Sequence, residues 1–188
     1  MTSGRSLPGD TTDLRAGAPL ADGLLALLPL VGQWSGVGSG VVPSDGRSFR
    51  YAQHVTFAHD GRPFLAYESR TWLLEQDGTV LRPGARETGF WRPGPQADDV
   101  EVVLALNTGL TLVLTGTAGD QRWELDAVNI DRTPSAVGVD GHRRLYAITG
   151  ADLAYAHELA PAGRTMAAHL SGRLSRARVT ERTGEPAD

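Results

Sequence analysis

Apolar residues recur along this chain in two rhythms. Leu24, Leu25, Leu27 and Leu28 repeat at helical spacing and are followed by Pro29, which predicts one short helix that ends there. The rest reads as strands broken by turn signals at intervals of about eight to twelve residues. The expected strands are Trp34–Val42, Phe49–Ala58, Pro63–Leu74, Arg86–Arg92 and Val100–Leu106, then Leu110–Thr117, Arg122–Ile130, Gly141–Ile148, Leu153–Leu159 and Thr165–Arg176. Asp60-Gly61 and Asp77-Gly78 supply the positive φ that tight hairpins need. Alternation is clear in Trp123-Glu124-Leu125-Asp126, where the tryptophan and leucine share a face, and weak in Glu101-Val102-Val103-Leu104, where both faces are apolar. Hairpin-sized gaps throughout favour an all-β fold, a ten-stranded antiparallel up-and-down barrel, because closure removes exposed edges. A sandwich is the competing architecture.

Composition narrows the field. The chain has 188 residues, 40% hydrophobic and 21% charged, which suits one folded domain. Its 23 glycines and 11 prolines suit many turns. A net charge of −4 offers no basic face for phosphate backbones, so nucleic-acid binding is not expected. Every basic side chain is arginine, which excludes a lysine Schiff base or a P-loop lysine. With no cysteine there is no disulfide, thiolate nucleophile, iron–sulfur cluster or cysteine-ligated metal. Residues 20–31 resemble the apolar part of a signal peptide, but Asp10, Asp13 and Asp22 precede or interrupt the run and no basic cluster leads it. The run is also short of the roughly 20 residues that span a bilayer. A cytoplasmic protein without a membrane partner is expected. Residues 1–13 and 180–188 read as a disordered arm and tail around a domain at 14–179.

Several segments carry candidate chemistry. In Gly32-Gln33-Trp34-Ser35-Gly36-Val37-Gly38-Ser39-Gly40, glycine falls at every second position except Trp34. One strand face therefore lacks side chains, and a backbone, a helix or a flat ligand can approach it; a bent barrel strand with Trp34 plugging the base explains it equally well. His59, beside the Asp60-Gly61 turn, reads as a turn-stabilising hydrogen-bonding residue rather than a ligand. Glu87 and Arg92 stand at odd separation, so a buried pair between them is not expected. His142-Arg143-Arg144 is most simply a solvated basic cluster, with a second use as a partner for carboxylates. None of His54, His59, His142, His157 and His169 forms H-x-H or H-E-x-x-H, which disfavours a metal cage built of protein alone. A single imidazole still suffices to hold haem iron. Strict alternation puts His169, Ser171 and Arg173 opposite Leu170 and Leu174, which would send the leucines inward and His169 out.

Taken in order, the glycine run at 32–40, F-A-H-D-G-R-P-F-L-A-Y at 57–67, E-T-G-F-W-R at 87–92, R-T-P at 132–134, R-R-L-Y at 143–146 and H-L-S-G-R-L at 169–174 resemble the nitrobindin family from about Leu14 to about Val179. The likeness is to actinobacterial members with a longer N-terminal arm. The resemblance implies a barrel akin to fatty-acid-binding proteins that holds one ferric haem b per chain near its mouth. It implies His169 as the axial iron ligand, Ser44 as a haem contact, and Gly32, Trp34, Gly36 and Gly38 as motif positions. The implied activity is a peroxynitrite isomerase that forms nitrate, with nitric oxide binding as a companion property. Where many relatives carry methionine or leucine followed by histidine, this chain has Gly84 and Ala85, which implies a more open, less polar distal side. The alternative is a non-catalytic carrier of a fatty acid or other apolar ligand, since lipocalin-like barrels also begin with G-x-W. The expected partners are small reactive nitrogen species. A homodimer is left open.

Overall fold

The structure, a computed structural model, describes residues 9–177. A 3-10 helix at Asp22–Leu30 precedes ten strands: β1 (Gly32–Val41), β2 (Ser48–Ala58), β3 (Leu65–Leu74), β4 (Val80–Pro93), β5 (Asp99–Leu106), β6 (Leu110–Gly119), β7 (Arg122–Arg132), β8 (Val139–Thr149), β9 (Asp152–Pro161) and β10 (Ala167–Arg176). Each strand pairs antiparallel with its chain neighbours, and β1 closes on β10, giving a closed up-and-down barrel rather than a sandwich. Every expected strand is present, with shifted ends. Gly61 and Gly78 take φ of 90° and 89° at the two expected Asp-Gly turns. Residues 1–8 of the arm and the tail at 180–188 lie outside the described residues. Within the arm, Thr11 exchanges two backbone hydrogen bonds with His59, at 2.8 and 2.9 Å.

The helix departs from expectation in its period. A 3-10 helix has three residues per turn, so positions i and i+3 stack on one face. Leu24, Leu27 and Leu30 are buried on that face, while Leu25 is 67% exposed. Pro29 lies inside the helix rather than ending it. The three buried leucines, each worth about 2 kcal/mol of transfer, cap one end of the barrel. Trp34 Nε1 donates to the Leu30 carbonyl at 2.8 Å and Trp123 Nε1 to the Ala26 carbonyl at 3.1 Å, fastening helix to barrel. Arg176 stacks over the Trp34 ring, 4.1 Å from its centroid, and donates to the Pro29 carbonyl at 2.7 Å. This end is a sealed floor.

The opposite end is the mouth. The register shifts all fall in the half of the barrel nearer it. His169 is the extra residue between the pairs Ala168↔Glu158 and Leu170↔His157. Gly84 and Ala85 together face Thr71, between Arg70↔Arg86 and Trp72↔Pro83, and a further shift follows at Leu73/Leu74. β7 and β8 carry the others, beside Val113/Leu114 and Val139/Gly141. An inserted residue bends its strand and re-aims the side chains beyond it. Here the insertions change which residues face the mouth.

Candidate functional site

The mouth opens into a cavity of about 690 Å³, within the range of small-molecule and cofactor sites. Its wall is mainly apolar, with Ala85, Leu106, Leu110, Val139, Leu159 and Leu170 among the lining residues. Four groups with chemical capacity join them: Glu87, His142, His157 and His169. Ser44 and Arg164 line it as exposed rim residues.

His169 is brought there by the bulge. Strict alternation would turn its ring outward, but the extra residue in β10 lets both His169 and Leu170 line the cavity. The expectation from parity is corrected for that reason. The ring is half-buried, and its Nδ1 lies 3.0 Å from the Val41 carbonyl. A carbonyl only accepts, so Nδ1 carries the proton and the Nε2 lone pair is left for another partner. Burial lowers the pKa of this imidazole, outweighing the carbonyl bond, which keeps it neutral at pH 7. Ser44 sits in the loop that follows Val41, on the same rim.

The basic cluster is not solvated. Along β8, His142, Arg144 and Tyr146 face inward and are buried, and only Arg143 faces solvent. Arg144 is 0% exposed and forks onto Glu87, with bonds of 2.7 and 3.0 Å. Burial opposes the charge on Arg144, but Glu87 beside it outweighs that and raises its pKa. Tyr67 donates a further bond to Glu87 at 3.3 Å. Glu87 is therefore ion-paired, to Arg144 and not to Arg92, which bridges Glu101 on the outside. Arg143 pairs outside with Asp126 at 2.7 Å.

Beneath the cavity the interior is aromatic and polar. His157 Nε2 lies 3.0 Å from the Tyr146 hydroxyl, and the Tyr51 and Tyr155 hydroxyls share a 2.5 Å bond. Burial, with the Arg144 charge adding to it, pushes His142 down to about 2 and His157 well below its ordinary value. Both are neutral imidazoles, and the Nδ1 atoms of both have no protein partner. Burial likewise pushes the Tyr51 hydroxyl up to about 12. Among the described residues the interior thus offers neutral polar groups and one locked ion pair, with no free charge.

The glycine run serves packing. A Cβ on Gly36 would lie 2.2 Å from the Arg173 carbonyl oxygen, and one on Gly38 would lie 2.5 Å from the Tyr51 ring. The bare face is taken up by the β10 backbone and by Tyr51. Gly32, at φ +145°, starts β1 beside Trp34 at the floor. His59 is at the floor too. It is buried, its backbone rather than its ring makes the pairing with Thr11, and both ring nitrogens lack a partner among the described residues. The turn beside it is held by Asp60, which accepts from the Arg62 N–H at 3.1 Å.

A floor covered by a helix, an open mouth and an apolar cavity entered by one tethered imidazole define a ligand-binding β-barrel of cofactor size. Known proteins make the class specific. The profile of the THAP4-like, heme-binding β-barrel domain matches residues 23–176, and the chain belongs to that family. A protein named peroxynitrite isomerase from Streptomyces griseus subsp. griseus is 47% identical over 166 residues, 87% of this chain and 89% of that one. A ferric nitrobindin-like protein from Nocardia farcinica is 44% identical over 174 residues, 90% of this chain and 74% of that one. The crystal structure of Rv2717c from M. tuberculosis superposes with a TM-score of 0.75 at 36% identity, covering 85% of this chain and 99% of that one. The resemblance carried by the six motifs is borne out. Among the described residues no helix is long and apolar enough to cross a membrane.

Proposed function

We propose that this barrel binds one ferric haem b in its mouth cavity through His169 Nε2 and isomerises peroxynitrite to nitrate, with nitric oxide as a further ligand. One observation carries the reading: the tether from His169 Nδ1 to the Val41 carbonyl, at 3.0 Å. Iron-ligating histidines characteristically give their other ring nitrogen to a carbonyl, which fixes the tautomer and the ring orientation. The cavity fits the group. Its wall is apolar, its volume is adequate, and its rim supplies a hydroxyl from Ser44 and a cation from Arg164 for the carboxylates of the macrocycle. Arg164 is steadied by a 3.1 Å bond from its Nη1 to the Pro43 carbonyl. It fills the place that the His142-Arg143-Arg144 cluster does not, since Arg144 is spent on Glu87.

Bound ferric haem would supply a Lewis-acidic iron. The chain's own part would be to present the His169 imidazole, keep the cavity apolar and avoid competing chemistry. Conversion of peroxynitrite to nitrate conserves atoms and charge, so it needs no electron and no net proton. The interior matches that demand: His142 and His157 are held neutral, and Glu87 is locked to Arg144. The unit responsible is one barrel domain at 14–179, acting in the cytoplasm, with a homodimer as the assembly to look for by light scattering.

Stopped-flow mixing of peroxynitrite with the hemin-loaded protein tests the activity. Decay should accelerate in proportion to loaded protein, with nitrate as the product. Equal decay with loaded and haem-free protein would refute the isomerase reading. Bound fatty acid in the purified protein, with no hemin uptake, would establish the carrier instead.

A further inference from the structure

Beside the main cavity, across His169 and Leu170, lies a second recess of about 340 Å³ that also shares Ala85 and Thr108 with it. Its remaining wall includes Phe49, Thr71, Gly84, Asn107 and Arg82. Among the described residues Arg82 is the one charged group that lines it, and no carboxylate does.

The bulge in β4 places that arginine. Counting inward positions back from Trp91, Gly89, Glu87 and Ala85 would put Arg82 on the outer face. The extra residue at Gly84/Ala85 reverses the parity, so Arg82 pairs with Leu73 and both line the recess. Two side chains hold the bulge: Thr71 Oγ1 donates to the Ala85 carbonyl at 2.9 Å, and Asn107 Oδ1 accepts from the Arg86 N–H at 2.9 Å. Arg70 and Arg86, on the outer face, are both committed to Glu68. Arg82 bridges no carboxylate among the described residues, and its single hydrogen bond is a long one of 3.5 Å to the Pro83 carbonyl. A chain of net charge −4 thus keeps an unspent, solvent-exposed guanidinium at the edge of an otherwise uncharged recess that opens beside His169.

We propose that this recess is an anion-receiving subsite in which Arg82 draws a small planar oxyanion to the mouth beside His169. The identity of that anion rests on the function proposed above: peroxynitrite and nitrate are both singly charged oxyanions of nitrogen. A guanidinium fork matches such a group through two parallel N–H bonds, and walls of low polarity focus its field. Asn107 and Thr71 act as positioning residues, since they hold the bulge that turns Arg82 inward.

The haem-free full chain gives a test that does not depend on haem. At constant ionic strength, sodium nitrate should produce saturable amide shifts at Gly84, Ala85 and Asn107 in an NMR titration. Arg82→Gln should weaken that response about tenfold, the scale of one charge-assisted hydrogen bond, while Arg122→Gln, at the start of β7 and outside both cavities, leaves it in place. In hemin-loaded protein, azide affinity should fall from wild type to R82Q to R82E, and affinity for neutral imidazole should hold. Absent shifts, or shifts unchanged in R82Q, overturn the proposal. So does an R82Q variant that loses hemin affinity with its nitrate response intact, because Arg82 would then serve the haem carboxylates. If hemin is not taken up at all, the haem reading fails and the nitrate titration still decides this one.

Discussion

Replacing Glu87 by glutamine should be among the most damaging single-atom changes available in this barrel. Arg144 has no exposed surface, and Glu87 accepts both of its guanidinium bonds, at 2.7 and 3.0 Å, as well as one from Tyr67 at 3.3 Å. The Glu87 side chain is only 13% exposed, so solvent screens the pair little. Removing one partner of such a pair leaves an uncompensated buried charge and costs about 3–5 kcal/mol. Glutamine keeps one acceptor oxygen but turns an amide N–H₂ toward the guanidinium, which puts the loss near the lower end, about 3 kcal/mol. At a typical m of about 2 kcal/mol/M, the urea midpoint falls by about 1.5 M. For a chain of this length, Tm falls by about 6–12 °C. Tryptophan fluorescence can follow the transition, since Trp91 packs edge-on against Tyr146 at 5.2 Å within the same interior. A Glu87→Leu/Arg144→Met double variant, which removes both charges, should recover most of the loss. A Glu87→Gln loss below about 1 kcal/mol would refute the reasoning, for it would mean that Arg144 finds water or another acceptor.

Two further outcomes follow from the same interior. Burial holds His142 at about 2 and His157 well below its ordinary value, whereas both titrate near 6.5 when unfolded. The unfolded chain therefore binds more protons below pH 6.5, so stability is full above that pH and falls as acid is added. Each histidine contributes a slope of about 1.4 kcal/mol per pH unit. Urea unfolding of the haem-free protein at pH 7.5, 6.0 and 5.0 should show the decline, and a His142→Gln/His157→Gln variant should flatten it. An unchanged slope in that variant would show that neither ring is neutral because of its burial. Gly36→Ala should cost about 2–3 kcal/mol by overpacking, because its Cβ would lie 2.2 Å from the Arg173 backbone oxygen and β1 would have to part from β10. Wild-type stability of that variant in a thermal melt would contradict the close approach.

Much of this architecture was legible in the residues because turns and alternation are local. Asp60-Gly61 and Asp77-Gly78 mark their hairpins without reference to anything distant. The position of the helix is legible but its period is not: Leu24, Leu27 and Leu30 obey a repeat of three, and Leu30 lies beyond Pro29, a residue that commonly stops a helix. Motif order singles out His169 as a candidate, but its orientation is not readable, because a bulge inserts one residue without leaving a sign in the chain itself. The same limit hid Arg82, turned inward by the bulge at Gly84/Ala85. His142 and Arg144 had a readable signal that charge obscured, since they share a strand face with Tyr146 and Ile148. The partner of Arg144 could not be read, as Glu87 lies 57 residues away on a strand that meets it only across the barrel.

The central claim is that His169 holds haem iron, and hemin titration followed by absorption spectroscopy tests it most directly. Wild-type protein should develop a saturable Soret band at one hemin per chain. His169→Gly should lose or greatly weaken that band and regain it when free imidazole is added, because the cavity wall survives the substitution and only the ligand is missing. An unchanged Soret spectrum in His169→Gly would contradict the account and move the axial ligand elsewhere in the mouth.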